Sequence, residues 1–134
     1  MKEQLLLELQ QVLEAVPSIN KVSHGKPEPL SSETIFNSIY IMPEVTSFKN
    51  RSNTKCKAGY YEIFPVSLFI NSNNTNPLDW VKLEDDIIRY VLDDTKIWKT
   101  IVDRELVTVG YDRYESFPKR EFIIQFEFKL MSSC

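Results

Sequence analysis

Residues Glu121–Leu130 alternate between two kinds of side chain. Phe122, Ile124, Phe126, Phe128 and Leu130 are apolar, while Glu121, Gln125, Glu127 and Lys129 are polar. Successive side chains of a strand point to opposite faces, so this is a strand with one dry and one wet face. Five large apolar side chains in one row require a cover, and the chain offers two. In residues 2–16, Leu5, Leu9, Val12 and Val16 recur at helical spacing, with Leu6 and Leu13 widening the stripe. Pro17 ends that helix, because proline disfavours helical geometry in the residue before it. Asn76-Pro77 opens a second helix, with Asn as N-cap and Pro in its first turn. That helix runs to about Leu92 on an inner stripe of Trp80, Leu83, Ile87 and Val91, flanked by Ile88 and Tyr90.

Further strands are expected at Asn37–Met42, Tyr60–Ile70 and Glu105–Tyr114, with Ile19–Ser23 a candidate short one. Pro65 cannot donate a ladder hydrogen bond, so its strand is expected at an edge or bulged there. Gly110 suggests a bulge in the Glu105–Tyr114 strand. Thr95–Val102 is expected to hold a helical turn around Trp98, Glu115–Arg120 a turn, and Val45–Ala58 a fourteen-residue polar loop. The order helix, strand, strand, helix, strand, strand lacks a βαβ repeat. It predicts an α+β fold: a single domain over residues 1–134, with a largely antiparallel or mixed sheet of four to five strands under two main helices.

Scarce residue types narrow the chemistry. The three glycines (Gly25, Gly59, Gly110) are too far apart to form a phosphate-cradling loop. The single histidine, His24, reads as a loop residue and leaves no multi-histidine metal site. Cys56 and Cys134 read as free thiols; Lys55 and Lys57 favour a Cys56 thiolate, but no base or resolving cysteine stands near it in sequence. The N-terminal leucines are interrupted by acids, unlike a signal peptide, and no apolar run is long enough to span a bilayer. A cytosolic site of synthesis is therefore expected.

Two carboxylate patterns require weighing. Asp112 with Glu127-Phe128-Lys129 imitates the acid…E-x-K set of metal-dependent nucleases, yet strand alternation alone explains the Glu127–Lys129 spacing. The pairs Asp85-Asp86 and Asp93-Asp94 could face a divalent ion, but an acidic helix face is the ordinary outcome. No catalytic, cofactor-binding or metal-binding residue is assigned, and no cofactor is expected.

Charge segregation is the more informative pattern. The Val45–Ala58 stretch holds Lys49, Arg51, Lys55 and Lys57 and no acid, whereas residues 78–94 set six acids against two bases. The two stretches can meet within one chain as weak surface contacts. Between copies they would form a head-to-tail contact able to close into a ring. The candidate protein-interaction residues are Lys49, Arg51, Lys55 and Lys57 on one side and Asp85, Asp86, Arg89 and Asp93 on the other. Anion or nucleic-acid contact by the basic stretch is the remaining reading, with one aromatic (Phe48) to support it.

The layout as a whole resembles a known family. It comprises a leucine-rich helix ending at Val16-Pro17, a strand closing on Ile39-Tyr40-Ile41-Met42-Pro43, and a long loop before Gly59-Tyr60-Tyr61-Glu62-Ile63-Phe64-Pro65-Val66. A Trp80-centred helix and the closing Glu121–Phe128 strand complete it. This resembles the tail-terminator and tail-completion proteins of long-tailed bacteriophages. No short motif carries the likeness. The resemblance implies a non-enzymatic protein assembled in the host cytoplasm and located in the virion tail or neck. It implies a homohexameric ring that caps the tail tube and meets a head-completion or connector protein. DNA would pass at most transiently through the lumen, and no membrane is involved. The Val45–Ala58 loop would then project at a ring or lumen surface, and the second helix would help line the subunit interface. A head-completion stopper and a cytosolic oligomeric adaptor are the alternatives, with the nuclease more remote.

Overall fold

The computed structural model describes residues 2–27, 33–44, 47–50, 60–72, 76–111 and 120–131. In chain order these form α1 (Lys2–Glu14), β1 (Lys21–His24), β2 (Ser38–Pro43), β3 (Ser47–Asn50), β4 (Tyr60–Ser72), α2 (Pro77–Asp93), β5 (Asp103–Tyr111) and β6 (Arg120–Met131). The strands make one mixed sheet in the order β1-β2-β4-β6-β5, and β3 pairs with β4 off that path. Only β1 and β2 run parallel; every other pairing is antiparallel. The α+β expectation holds, with one strand more than expected.

Both helices lie on one face of the sheet. The inward rows of β6 (Phe122, Ile124, Phe126, Phe128, Leu130) and β4 (Phe64, Val66, Leu68, Ile70) are buried against α1 through Leu5, Leu9, Val12 and Leu13, and against α2 through Leu83, Ile87 and Val91. Each of these side chains contributes about 1.5–3 kcal/mol by leaving water, which makes this row the main stabilising feature. The helices divide the sheet between them, α1 touching β1 and β2 and α2 touching β5. α2 starts as its sequence predicts: the Asn76 side chain accepts the Leu78 N–H at 3.0 Å, and Pro77 occupies the first turn. α1 stops at Glu14, slightly before the expected end.

Several local expectations are corrected. Residues 47–50 are strand rather than loop; they pair with Tyr60–Ile63, which the sequence's polarity does not reveal. The rest of the basic stretch, 45–46 and 51–58, lies outside the described residues. Pro65 stands in a central strand that pairs regularly with β6, but on its other side the ladder breaks beside it: the register moves by one residue between Pro43–Val66 and Ser47–Ile63, in keeping with the expected irregularity. Its carbonyl accepts the Glu44 N–H at 2.9 Å, so its nitrogen faces the same side, where β2 ends at Pro43 and β3 begins at Ser47. The missing donor therefore falls at this break in the ladder, where a proline is tolerated. The β5 bulge is at Val107, between Leu106 and Thr108, while Gly110 pairs regularly with Ile123. Trp80 is only half-buried, leaving Leu83, Ile87 and Val91 as the inner stripe. Residues 95–102 form no helical turn. Trp98 is held instead by its indole N–H to the Val91 carbonyl (3.1 Å) and by Phe128, with ring centroids 5.2 Å apart. His24 ends β1 rather than lying in a loop, its Nε2 2.8 Å from the Gln10 Oε1. The expected turn at 115–120 falls outside the described residues except for Arg120, which begins β6.

Candidate functional site

The α2 outer face begins with apolar residues and continues with acids. Leu78 is 74% exposed and Val81 47%. Asp79, Asp85 and Asp93 are exposed, while Glu84, Asp86 and Asp94 are partly covered. Asp86 accepts from Arg89 at 3.0 Å, an exposed pair one turn apart, and the Arg89 guanidinium lies 5.9 Å from the Tyr90 ring centre. Such a pair contributes little to stability, so its charges remain available as surface. Arg89, Tyr90, Asp93 and Asp94 line a shallow depression of about 350 Å³. Burial, reinforced by the neighbouring Asp85, holds the Glu84 carboxyl above its usual range.

Asp94 is committed to local structure. Its Oδ1 accepts the N–H groups of Lys96 (3.0 Å) and Ile97 (2.7 Å). The last turn of α2 contains no base, and Arg104 of β5 fills that role from outside. Arg104 donates through Nε to the Leu92 carbonyl at 3.0 Å and through Nη2 to the Leu92 and Asp94 carbonyls. A cation at the carbonyl end of a helix satisfies orphan acceptors and complements the macrodipole. This joins α2 to the start of the β5 edge.

The connector between them is pinned from the other helix. Glu8 is 3% exposed, and its Oε1 accepts the Lys99 N–H (2.8 Å) and Thr100 N–H (3.1 Å). Its Oε2 accepts the Thr100 hydroxyl at 2.5 Å. Burial pushes this carboxyl up, but the Lys99, Thr100 and Gln4 hydrogen bonds outweigh it and hold the group below its usual range. Sequence reasoning missed Glu8, although a signal existed: it occupies an inward position of the Leu5–Leu9–Val12 stripe. Arg104 gave no comparable signal, because its partners lie ten and twelve residues away.

The basic stretch enters the sheet on the opposite flank. β3, which contains Lys49, pairs only with β4 among the described residues, on the side where β2 also lies. From there β4 and β6 intervene before β5, placing β3 and β5 three strand spacings apart, about 14 Å. Thus the strand that carries Lys49 and the acidic helix over β5 belong to opposite flanks of the sheet. Arg51, Lys55 and Lys57 lie outside the described residues, as do Cys56 and Cys134.

The nuclease-like set gains no geometric support. Glu127 stands opposite Glu105, whereas Tyr111, the residue before Asp112, pairs with Phe122, five positions along β6. That separation is about 17 Å at strand rise. Asp112 itself lies outside the described residues. Among the described residues no three His, Cys, Asp or Glu side chains are grouped to hold a metal. No described helix is long and apolar enough to cross a membrane.

No protein-family model and no curated protein matches the sequence. Among solved structures, the fold is similar to a chain from the virion of a native gene transfer agent particle. The match has a TM-score of 0.53 at 12% identity, covering 98% of this chain and 91% of that one. At that identity the likeness is one of fold. It extends over nearly the whole of both chains.

Proposed function

We propose that this protein is a non-enzymatic structural component of a phage-like virion, acting as the tail terminator. In that role copies close into a hexameric ring, occupy the end of the tail tube and present the far side of the ring to a head-completion or connector protein. The observation carrying the reading is the fold shared along nearly its full length with a chain of a gene transfer agent virion. The separation of charge supports it: an acidic helix on the β5 flank and a basic stretch entering on the β3 flank suit head-to-tail, heterologous contacts. The exposed Leu78 and Val81 add apolar contact area on the acidic side.

A terminator stops polymerisation by binding the growing end. The protein, added to polymerising tail-tube subunits of its own particle, should therefore cap the tubes. Electron microscopy should show a ring at one tube end and an end to elongation. Tubes that lengthen at the same rate with bare ends would contradict the proposal.

A further inference from the structure

Among the described residues the sheet leaves three backbone edges: β5 on one flank and, on the other, β1 beyond β2 and the short β3 beside β4; β3 and the start of β5 lie at the same end of the sheet. On one flank β5 is the terminal strand; on the other, β3 has β4 as its only partner among the described residues. The register runs straight across: Ser47 pairs with Ile63, Ile63 with Lys129, and Lys129 with Asp103. The first residue of β3, Ser47, therefore lies level with the first residue of β5, Asp103, and the rest of β3 extends beyond the start of β5. Directions alternate across the sheet, because β3 is antiparallel to β4, β4 to β6, and β6 to β5. A neighbouring copy placed side by side would bring its β3 antiparallel to β5.

Charge discriminates between the pairings open to this edge. Asp103 and Glu105 are exposed, and Val102 and Val107 beside them are 50% and 47% exposed. Pairing β5 with the same part of its own copy, centred on Arg104, would set Asp103 opposite Glu105, a like-charge clash. β3 carries one charged residue, Lys49, and no acid. A stagger of two residues, which preserves the alternation of faces, sets Lys49 opposite Asp103 and Ser47 opposite Glu105. Edge strands are commonly guarded by charge; here the guard admits a basic strand and rejects an acidic one.

We propose that β5 of one copy and β3 of the next join as antiparallel strands, making the ring contact a continuous sheet. This rests on the ring reading above and specifies which surfaces form it. The contact adds main-chain hydrogen bonds to the electrostatic match between flanks.

Charge reversal with light scattering tests the pairing. Glu105→Lys and Lys49→Glu should each weaken self-association by about tenfold. Glu105→Lys should keep the fold intact, because it removes a carboxylate facing Glu127. Asp103→Lys combined with Lys49→Glu should recover part of the loss seen with Lys49→Glu alone. A second measurement is independent of charge. With Cys56 and Cys134 replaced by Ser, Ser47→Cys with Glu105→Cys should give disulfide-linked ladders on a non-reducing gel, since facing strand positions fit disulfide geometry. Wild-type assembly that survives all the charge reversals, with no cross-linked ladder, would overturn the strand pairing and leave the ring standing. A wild-type protein that does not associate would overturn the ring reading and the pairing with it.

Discussion

Glu8 on α1 and Glu84 on α2 are both helix carboxylates beside the same apolar core, yet their environments act in opposite directions. Glu8 is the more buried and titrates below its ordinary value; Glu84 is half-exposed and titrates above it. The difference lies in the donors. Two backbone N–H groups and a hydroxyl converge on Glu8, whereas Glu84 is subject to burial and, after it, to the like charge of Asp85. Glu8 is internal structure, binding the 99–100 connector to α1. The α2 acids make a surface. Of two similar acids in the sequence, one is therefore held by donors within the fold and the other stands on a helix face shared with further acids.

Removing the Glu8 carboxylate is the most direct way to break that contrast. Glu8→Ala should lower stability to urea by about 2 kcal/mol, because the partly covered Lys99 and Thr100 donors lose their acceptor. The pH dependence has a definite sign. Glu8 titrates lower folded than unfolded, so its contribution is complete above the ordinary value of 4.5 and disappears as pH falls through the lower folded value. Glu8→Ala should accordingly flatten the acid limb of the stability profile. An unchanged acid limb would show that the carboxylate is not held by these donors.

Glu84→Gln is the small counterpart. Its folded titration is raised, so the ionised form slightly penalises the fold above that value, and the penalty is relieved as pH falls. The substitution should change urea stability by less than about 0.5 kcal/mol, in the stabilising direction. A loss comparable to that of Glu8→Ala would mean that Glu84 is also structural and that the acidic face is smaller than described.

The fold was legible where one periodicity dominated. The alternation of Phe122–Leu130 and the 3.6-residue stripe of Leu83, Ile87 and Val91 each predicted a buried row. Asn76-Pro77 predicted the start of α2 because capping is local chemistry. Features depending on distant partners were not legible. Pro65 announces an edge or a bulge, but which neighbour is interrupted shows only where β2 stops, and β3 begins, beside it. Ser47–Asn50 looks like loop until Tyr60–Ile63 supplies its ladder. The same holds for the contact surface. Charge segregation was visible in the sequence, but the placement of Lys49 two residues from the level of Asp103, on opposite edges, is a property of register. Arg51, Lys55 and Lys57 belong to the same basic stretch by sequence alone.

The central claim is that oppositely charged flanks of separate copies join. Its most direct test is the mass of the purified protein by light scattering at low and then high salt. The Lys49→Ser, Arg51→Ser, Lys55→Ser, Lys57→Ser variant would be measured alongside. The account predicts a wild-type particle approaching six times 15.7 kDa at low salt, dissociating as salt rises, and a lighter variant under the same conditions. A wild-type protein that stays at 15.7 kDa regardless of salt, or a variant that assembles as the wild type does, would contradict it.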